Sequence, residues 1–244
     1  MTKSSPKKRP NKPNRATTAA SPLLQNRLVW GTTLSVTFLA LALYVATLAR
    51  YPLFGDPTEY TYVAHVLGIA HPPGYAFMTV LHKLFQTLIP FGTVAWRSHL
   101  VSALVGAGVV TAVFTTVRVL LTYAAEQVGY GLRPNLPLLA GLLTAVGVGG
   151  SVNFWQHAIH ANPHLITAAF LACNLCLLTL WGVRERRTYQ TQAQAAAPFL
   201  LYAFAFSTGL GVAHHPLTVF AFPAYAVFIL WLRPRPWRDW RMWL

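Results

Sequence analysis

The chain has 244 residues, 55% hydrophobic and only 10% charged, with a mean hydropathy of +0.44. Soluble domains carry about 25% charged residues, so this deficit, spread over several long apolar runs, argues against a soluble domain and for a polytopic membrane protein. The net charge of +14 does not mark a nucleic-acid binder, because the basic residues sit in a tail and in short inter-helix loops rather than in a folded basic motif.

Residues 1–27 are rich in Lys, Arg, Pro, Ser, Thr and Asn and offer almost nothing to bury, which predicts a disordered tail. Its basic residues (Lys3, Lys7, Lys8, Arg9, Lys12, Arg15 and Arg27) suit anionic lipid on the cytoplasmic side. The apolar run Leu28–Ala49 is too long for the core of a signal peptide and long enough to cross a bilayer. Five more runs of crossing length follow: Trp96–Leu121, Pro137–Phe154, Pro163–Val183, Ala197–Ala213 and Pro216–Leu232.

Tyr75–Ile89 is apolar but short, with His82 and Lys83 in mid-run, so it either crosses or lies flat at the interface. Charge distribution decides between them. If it lies flat, all 19 Lys and Arg except Arg50, Lys83 and Arg97 fall on the cytoplasmic side, as the positive-inside rule requires. The expectation is an all-α bundle of about six transmembrane helices spanning residues 28–232. Its first outer loop, 50–95, holds interfacial helices, and a basic cytoplasmic end covers 233–244. In that topology Asp56, Glu59 and all nine histidines gather at the outer side, where a polar cavity is needed to hold them.

The stretch Gly55 to Tyr75, GDPTEYTYVAHVLGIAHPPGY, holds two of the chain's five acidic residues. Asp56 before Pro57, with Glu59 three residues on, fits a helix cap in which Asp56 is the N-cap. It also fits a general base, a carboxylate able to take a proton from an acceptor hydroxyl. In His71-Pro72-Pro73-Gly74-Tyr75 the prolines fix a turn, and His71 and Tyr75 are placed to line a cavity. His157, His160 and His164 share a nominal helix face, but Pro163 interrupts it and no carboxylate stands near to orient the rings, so a metal site is not expected. His214 and His215 fall at the outer turn between the last two apolar runs. Arg97 either snorkels at the membrane boundary or binds a phosphate through its forked guanidinium. Cys173 and Cys176 lie within one apolar run and read as small packing residues.

The stretch GDPTEYTYVAHVLGIAHPPGYAFMTVLHKLF resembles the signature of a multipass membrane family of unknown function (DUF2723), D-S-G-E-F followed by L-G-I-A-H-P-P-G-Y-P. That family is related to the protein O-mannosyltransferases and belongs to the GT-C glycosyltransferase superfamily. AWRSHLVSALVGAG, NFWQHAIHANPH and GLGVAHHPL are similar to its later motifs, in the same order. The resemblance implies a GT-C-like fold and transfer of a mannose-like sugar from a polyprenyl- or dolichyl-phosphate donor to an acceptor hydroxyl on the outer face. The acceptor is a protein, lipid or glycan. The resemblance puts the catalytic base at Asp56, with Glu59 beside it. It implies substrate binding by His71, Tyr75, Arg97, Asn162, His164, His214 and His215, with no metal and no cofactor. The expected location is a bacterial inner membrane, or the endoplasmic reticulum membrane in a eukaryote.

Two departures stand out. Asn162 and His164 occupy the positions of Glu and Tyr in the third motif, and Ala213 replaces Asn before the histidine pair. The chain also resembles an N-terminal portion or short form, which a partner subunit would complete. A non-catalytic membrane subunit of the same fold is therefore the alternative reading. A transporter of lipid-linked substrates is weaker, because no repeat is visible and the ionisable groups lie at one edge.

Overall fold

The run from Val94 to Val128 contains no proline, and in the computed structural model it forms one 35-residue helix around which the others pack. The structure describes residues 22–128, 135–191 and 199–233, and among these it contains helices and no strand. In chain order they are α1 (Pro22–Ala46), α2 (Asp56–Val66), α3 (Ala76–Leu88), α4 (Val94–Val128), α5 (Leu136–Gly149), α6 (Val152–Ala158), α7 (Pro163–Thr191), α8 (Phe199–His214), a 3-10 helix (Pro216–Ala221) and α9 (Phe222–Leu232). Helix α4 packs against α1, α5 and α7, and α7 packs against α8.

Small residues make those approaches close. The buried side of α4 includes Ser98, Ser102, Ala103, Gly106 and Ala107, the kind of surface through which helices associate in lipid. One core joins α1, α4, α5, α6 and α7 through Tyr44, Leu48, Val110, Phe114, Ala145 and Leu165. A second joins α7, α8 and α9 through Leu178, Trp181, Leu201, Phe204 and Tyr225. Large apolar side chains face outward instead, among them Trp30, Phe38, Leu143, Val146, Phe206 and Val227. In water this surface would be an aggregation hazard; in lipid it is the ordinary exterior of a bundle. The chain is an all-α membrane protein.

The expectation of about six spans is not met by length. Among the described residues three helices are long and apolar enough to cross: Asn26–Ala46, Val94–Val128 and Pro163–Gln190. A fourth crossing requires α5 and α6 together, and these are bent by 69°. The single helix expected over Pro137–Phe154 is therefore broken, with Ser151 extended between the two pieces. The Tyr44 hydroxyl donates to the Gly149 carbonyl at 2.9 Å. A Cβ on Gly149 would lie 3.0 Å from that hydroxyl and from Val110, so this close contact suits glycine. Helix α8 and the 3-10–α9 pair are shorter apolar segments; the 16 residues of α8 reach about 24 Å, against about 30 Å of hydrocarbon. Helix α1 also begins at Pro22, earlier than Leu28.

Helix α3, at 13 residues, is too short to cross, as its length and charges predict. It buries Met78, His82 and Gln86, spaced four apart on one stripe. Val80, Leu84 and Leu88 stay exposed. It packs on α2, α4 and α8, closing one end of the bundle.

The two ends differ chemically. At the end formed by the C-termini of α4, α7 and α9, Arg187 pairs with Glu126 at 2.8 Å and Arg233 with Glu185 at 2.7 Å. Arg186 lies 4.9 Å over the Trp231 ring. Of the other basic residues assigned to this side, Arg118 and Arg184 lie on α4 and α7, and Arg133, Arg235, Arg238, Arg241 and the basic residues of the tail other than Arg27 lie outside the described residues. The opposite end carries the histidines.

Candidate active site

Helix α2 begins differently from the cap its sequence predicts. Gly55 is the N-cap residue, at φ 88° and ψ −148°, and Asp56 is already the first helical residue, followed by Pro57. That backbone conformation favours glycine. No side chain caps the helix, so the Asp56–Glu59 capping arrangement does not form. Residues at i, i+3 and i+4 share a helix face, which places Asp56 above Glu59 and Tyr60. Asp56 is exposed and takes no part in the hydrogen bonds and ion pairs that fix its neighbours.

Glu59 is held across the turn. Its carboxylate accepts from the His71 backbone N–H at 2.8 Å and from His71 Nδ1 at 2.9 Å. These bonds, the backbone one first, hold its pKa below the ordinary carboxylate value. With Nδ1 donating to Glu59, His71 Nε2 is the acceptor, and the Tyr60 hydroxyl donates to it at 3.3 Å. Burial, then the neighbouring Tyr75 and Asp56, push the Tyr60 phenol upward, so it remains a donor. Glu59 therefore orients the histidine and its tautomer.

Tyr75 stands in the middle of the cluster. It is 5% exposed and has a left-handed backbone, φ 47°, uncommon for a bulky residue and a conformation that surrounding structure must enforce. Its ring lies 5.4 Å from Tyr60, 5.8 Å from His71, 5.8 Å from His214 and 5.6 Å from His215. His214 Nε2 donates to the Pro163 carbonyl at 2.9 Å. His215 Nδ1 accepts from the Leu217 N–H at 3.1 Å, leaving Nε2–H as a donor. Desolvation, followed by His164, keeps His215 below the ordinary histidine value, and the His164 ring lies 6.0 Å from it. Thus His71, Tyr75, His164, His214 and His215, drawn from three separate segments, meet at one end of the bundle.

The same end gives the comparisons with known proteins their meaning. A family model described as the protein O-mannosyl-transferase TMEM260 N-terminal domain matches residues 56–238, well over half of the chain. The chain belongs to the TMEM260 N-terminal domain family. It is 46% identical over 76 residues to the mouse protein O-mannosyl-transferase TMEM260, covering 31% of this chain and 11% of the mouse protein. It is 29% identical over 197 residues to the Dictyostelium discoideum protein of that name, covering 77% of this chain and 22% of the relative. The chain thus spans only about a fifth of the length of the Dictyostelium relative, and less of the mouse one. No solved structure matches.

The TMEM260-family segment opens on Asp56 and includes every candidate residue, but it does not bring all of them together. Arg97 donates to the Gln86 carbonyl from Nη1 at 2.7 Å and to the Gly92 carbonyl from Nε at 3.3 Å and Nη2 at 3.2 Å, clasping the end of α3 to α4. Asn162 accepts from the Leu165 N–H at 3.1 Å, serving as the cap of α7, and its amide donates to His157 Nδ1 at 2.9 Å. The rings of His157 and His160 lie 5.7 Å apart, while His164 turns to His215. Among the described residues no group of three metal-binding side chains gathers.

Sequence reasoning missed a buried polar layer beneath the cluster. His82 and His99 are fully buried and Gln86 is 6% exposed. Gln86 Nε2 donates to the Thr61 carbonyl at 3.0 Å and to Ser98 Oγ at 2.8 Å, and His99 Nδ1 donates to the Ala49 carbonyl at 2.8 Å. Both His82 nitrogens, His99 Nε2, Ser102 Oγ and His214 Nδ1 have no partner in the structure. The four-residue spacing of Met78, His82 and Gln86 was the signal available in the sequence. Tyr60 was the other omission, sitting one residue after Glu59.

Proposed function

We propose that this chain forms the catalytic end of a membrane glycosyltransferase. It would move a mannose-like sugar from a polyprenyl- or dolichyl-phosphate carrier to an acceptor hydroxyl on the non-cytoplasmic face. The observation that carries the reading is the Asp56 carboxylate. It is unpaired at the tip of α2, on the same helix face as Glu59 and Tyr60, beside the cluster of His71, Tyr75, His214 and His215. The printed names of the mouse and Dictyostelium relatives, protein O-mannosyl-transferases, support the same class.

In this reading Asp56 takes the acceptor proton as the acceptor oxygen attacks the anomeric carbon. The bond from that carbon to the phosphate oxygen breaks, and the carrier phosphate leaves with the electron pair. The Nε2–H of His215 and the Tyr75 hydroxyl stabilise the leaving anion, while His214, whose N–H is spent on the Pro163 carbonyl, and Arg97, clasped to the end of α3, support the site. Glu59 sets the tautomer of His71, whose ring anchors Tyr60. The Arg–Glu end of the bundle faces the cytoplasm, as the positive-inside rule requires. The acceptor is a protein hydroxyl, following the relatives' names.

A second reading, a non-catalytic subunit of a larger assembly, is favoured by Asn162, which stands where the related family pattern has a carboxylate and has both ends of its amide engaged. Transfer of radiolabelled mannose from polyprenyl-phosphate mannose, in membranes bearing this chain or Asp56→Asn, decides between them. Transfer by the wild type that disappears in Asp56→Asn supports the enzyme. Equal transfer by both removes Asp56 as the base. Transfer by neither favours the subunit.

A further inference from the structure

A groove of ≈ 490 Å³ lies between the α5–α6 elbow and the first turns of α7, within the ~300–1,000 Å³ range of small-molecule sites. Its lining divides by chemistry. Val148, Phe154, Leu165 and Ala168 form an apolar wall, while Ser151, Asn153, His157 and His164 supply polar groups. A second cavity at this elbow among the described residues, between α1, α4 and α5, is lined almost wholly by apolar residues. Four polar side chains gathered in a mainly apolar groove at the edge of a lipid-facing bundle need a reason.

Two of the polar groups, His157 and Ser151, are fixed by their neighbours. The Asn162 amide cannot turn over without losing the Leu165 N–H that its oxygen accepts. Its nitrogen must therefore donate to His157 Nδ1, which leaves His157 with its proton on Nε2, a donor of set tautomer. The Ser151 hydroxyl donates to the Val148 carbonyl at 2.8 Å, so its oxygen is left to accept. Asn153 is exposed and its amide is uncommitted. A donor of set tautomer, an acceptor and a free amide over an apolar wall match a sugar ring, which presents hydroxyls at its rim and C–H groups on its face. His164 borders the groove and also lies beside His215, which in turn stacks near Tyr75. The groove therefore opens next to the cluster of the candidate active site.

We infer that this groove seats the hexose of the lipid-phosphate donor, with His157 and Asn153 hydrogen-bonding its hydroxyls. The inference rests on the glycosyltransferase reading and extends it, since none of the residues assigned above to donor or acceptor includes His157, Asn153 or Ser151. Asn162 acts in it as a positioning residue, through His157.

The test is equilibrium binding to the 244-residue chain in lipid nanodiscs, with three probes: short-chain polyprenyl-phosphate mannose, the same polyprenyl phosphate without sugar, and a free manno-oligosaccharide. Wild type is compared with His157→Leu, His157→Gln and Asn153→Ala, each checked for unchanged thermal unfolding. His157→Leu and Asn153→Ala should each weaken the sugar-bearing lipid about tenfold, the loss of roughly one hydrogen bond. They should leave the sugar-free lipid unchanged, and His157→Gln, which keeps a donor, should recover part of the affinity. Unchanged affinity for the sugar-bearing lipid, or an equal loss for both lipids, overturns the sugar seat and leaves the proposed function standing. Binding of neither lipid by the wild type overturns both. Oligosaccharide binding sensitive to His157, without lipid binding, overturns the donor assignment in favour of an acceptor glycan.

Discussion

Glu59 and His71, twelve residues apart, are joined by two hydrogen bonds to one carboxylate, 2.8 Å from the backbone and 2.9 Å from the ring. The pair fixes the turn between α2 and α3 from both its main chain and its side chain. Glu59→Gln should therefore loosen the turn, lowering thermal stability by about 1 kcal/mol, in the range of a partly exposed carboxylate held by hydrogen bonds. Because the folded-state pKa of Glu59 lies below its ordinary value, this contribution is present above the ordinary carboxylate pKa and disappears as the pH falls through the lowered one. Thermal unfolding of Glu59→Gln and wild type in the same detergent at neutral pH checks the difference, which should vanish in strong acid.

Asp56 is expected to behave in the opposite way. It has no partner to lose, so Asp56→Asn should leave unfolding unchanged within about 0.5 kcal/mol, as for other surface substitutions. Sugar transfer should fall about 100- to 10,000-fold, the span expected on losing a general base. Parallel melting curves and transfer assays separate the two carboxylates. A variant that both melts early and loses transfer would place Asp56 among the structural residues.

His82 predicts a pH dependence. Burial, then His99 and His214, push its pKa down to about 3, and burial takes His160 to about 4. Between these values and the ordinary histidine pKa of about 6.5 the unfolded chain binds more protons than the folded one. Stability should therefore fall as the pH drops through that window, by up to about 1.4 kcal/mol per pH unit per group. His82→Met removes one of the two groups and its unpartnered nitrogens. It should flatten the curve and stabilise the protein at neutral pH by about 1–3 kcal/mol. Melting temperatures across the range from pH 7 to 4 test both statements.

The elbow predicts a steric cost. Gly149→Ala places a methyl group 3.0 Å from both the Tyr44 hydroxyl and Val110 and should destabilise by about 1–3 kcal/mol. Tyr44→Phe removes only the bond to the Gly149 carbonyl and should lower stability by about 1 kcal/mol. Unfolding of the single and double variants checks whether the two effects couple, as groups in contact do.

Much of this architecture was legible in the chain, because long apolar runs, a proline-bounded loop and the placement of Arg and His are local signals. The bundle, the shortness of α3 and the gathering of histidines at one end follow from them. The break at Gly149 was not read from the chain although Gly147, Gly149, Gly150 and Ser151 interrupt the run Pro137–Phe154; the contact that holds it comes from Tyr44, which lies 105 residues away. The capping expectation at Asp56 was set aside by Gly55 before it and by a tertiary bond from His71 to Glu59. Arg97 reads as a phosphate ligand in sequence because its target carbonyls, Gln86 and Gly92, become neighbours only once α3 folds back on α4.

The family match begins at Asp56, yet Tyr44 of α1 is wholly buried in the core that holds the elbow. The stretch defined by similarity is thus smaller than the unit that folds. A chain started at Asp56 would keep every residue of the candidate site. It would lose the side chain that anchors α5, and the Ala49 carbonyl that His99 grips. The first helix belongs to the architecture of the site although it contributes no residue to it.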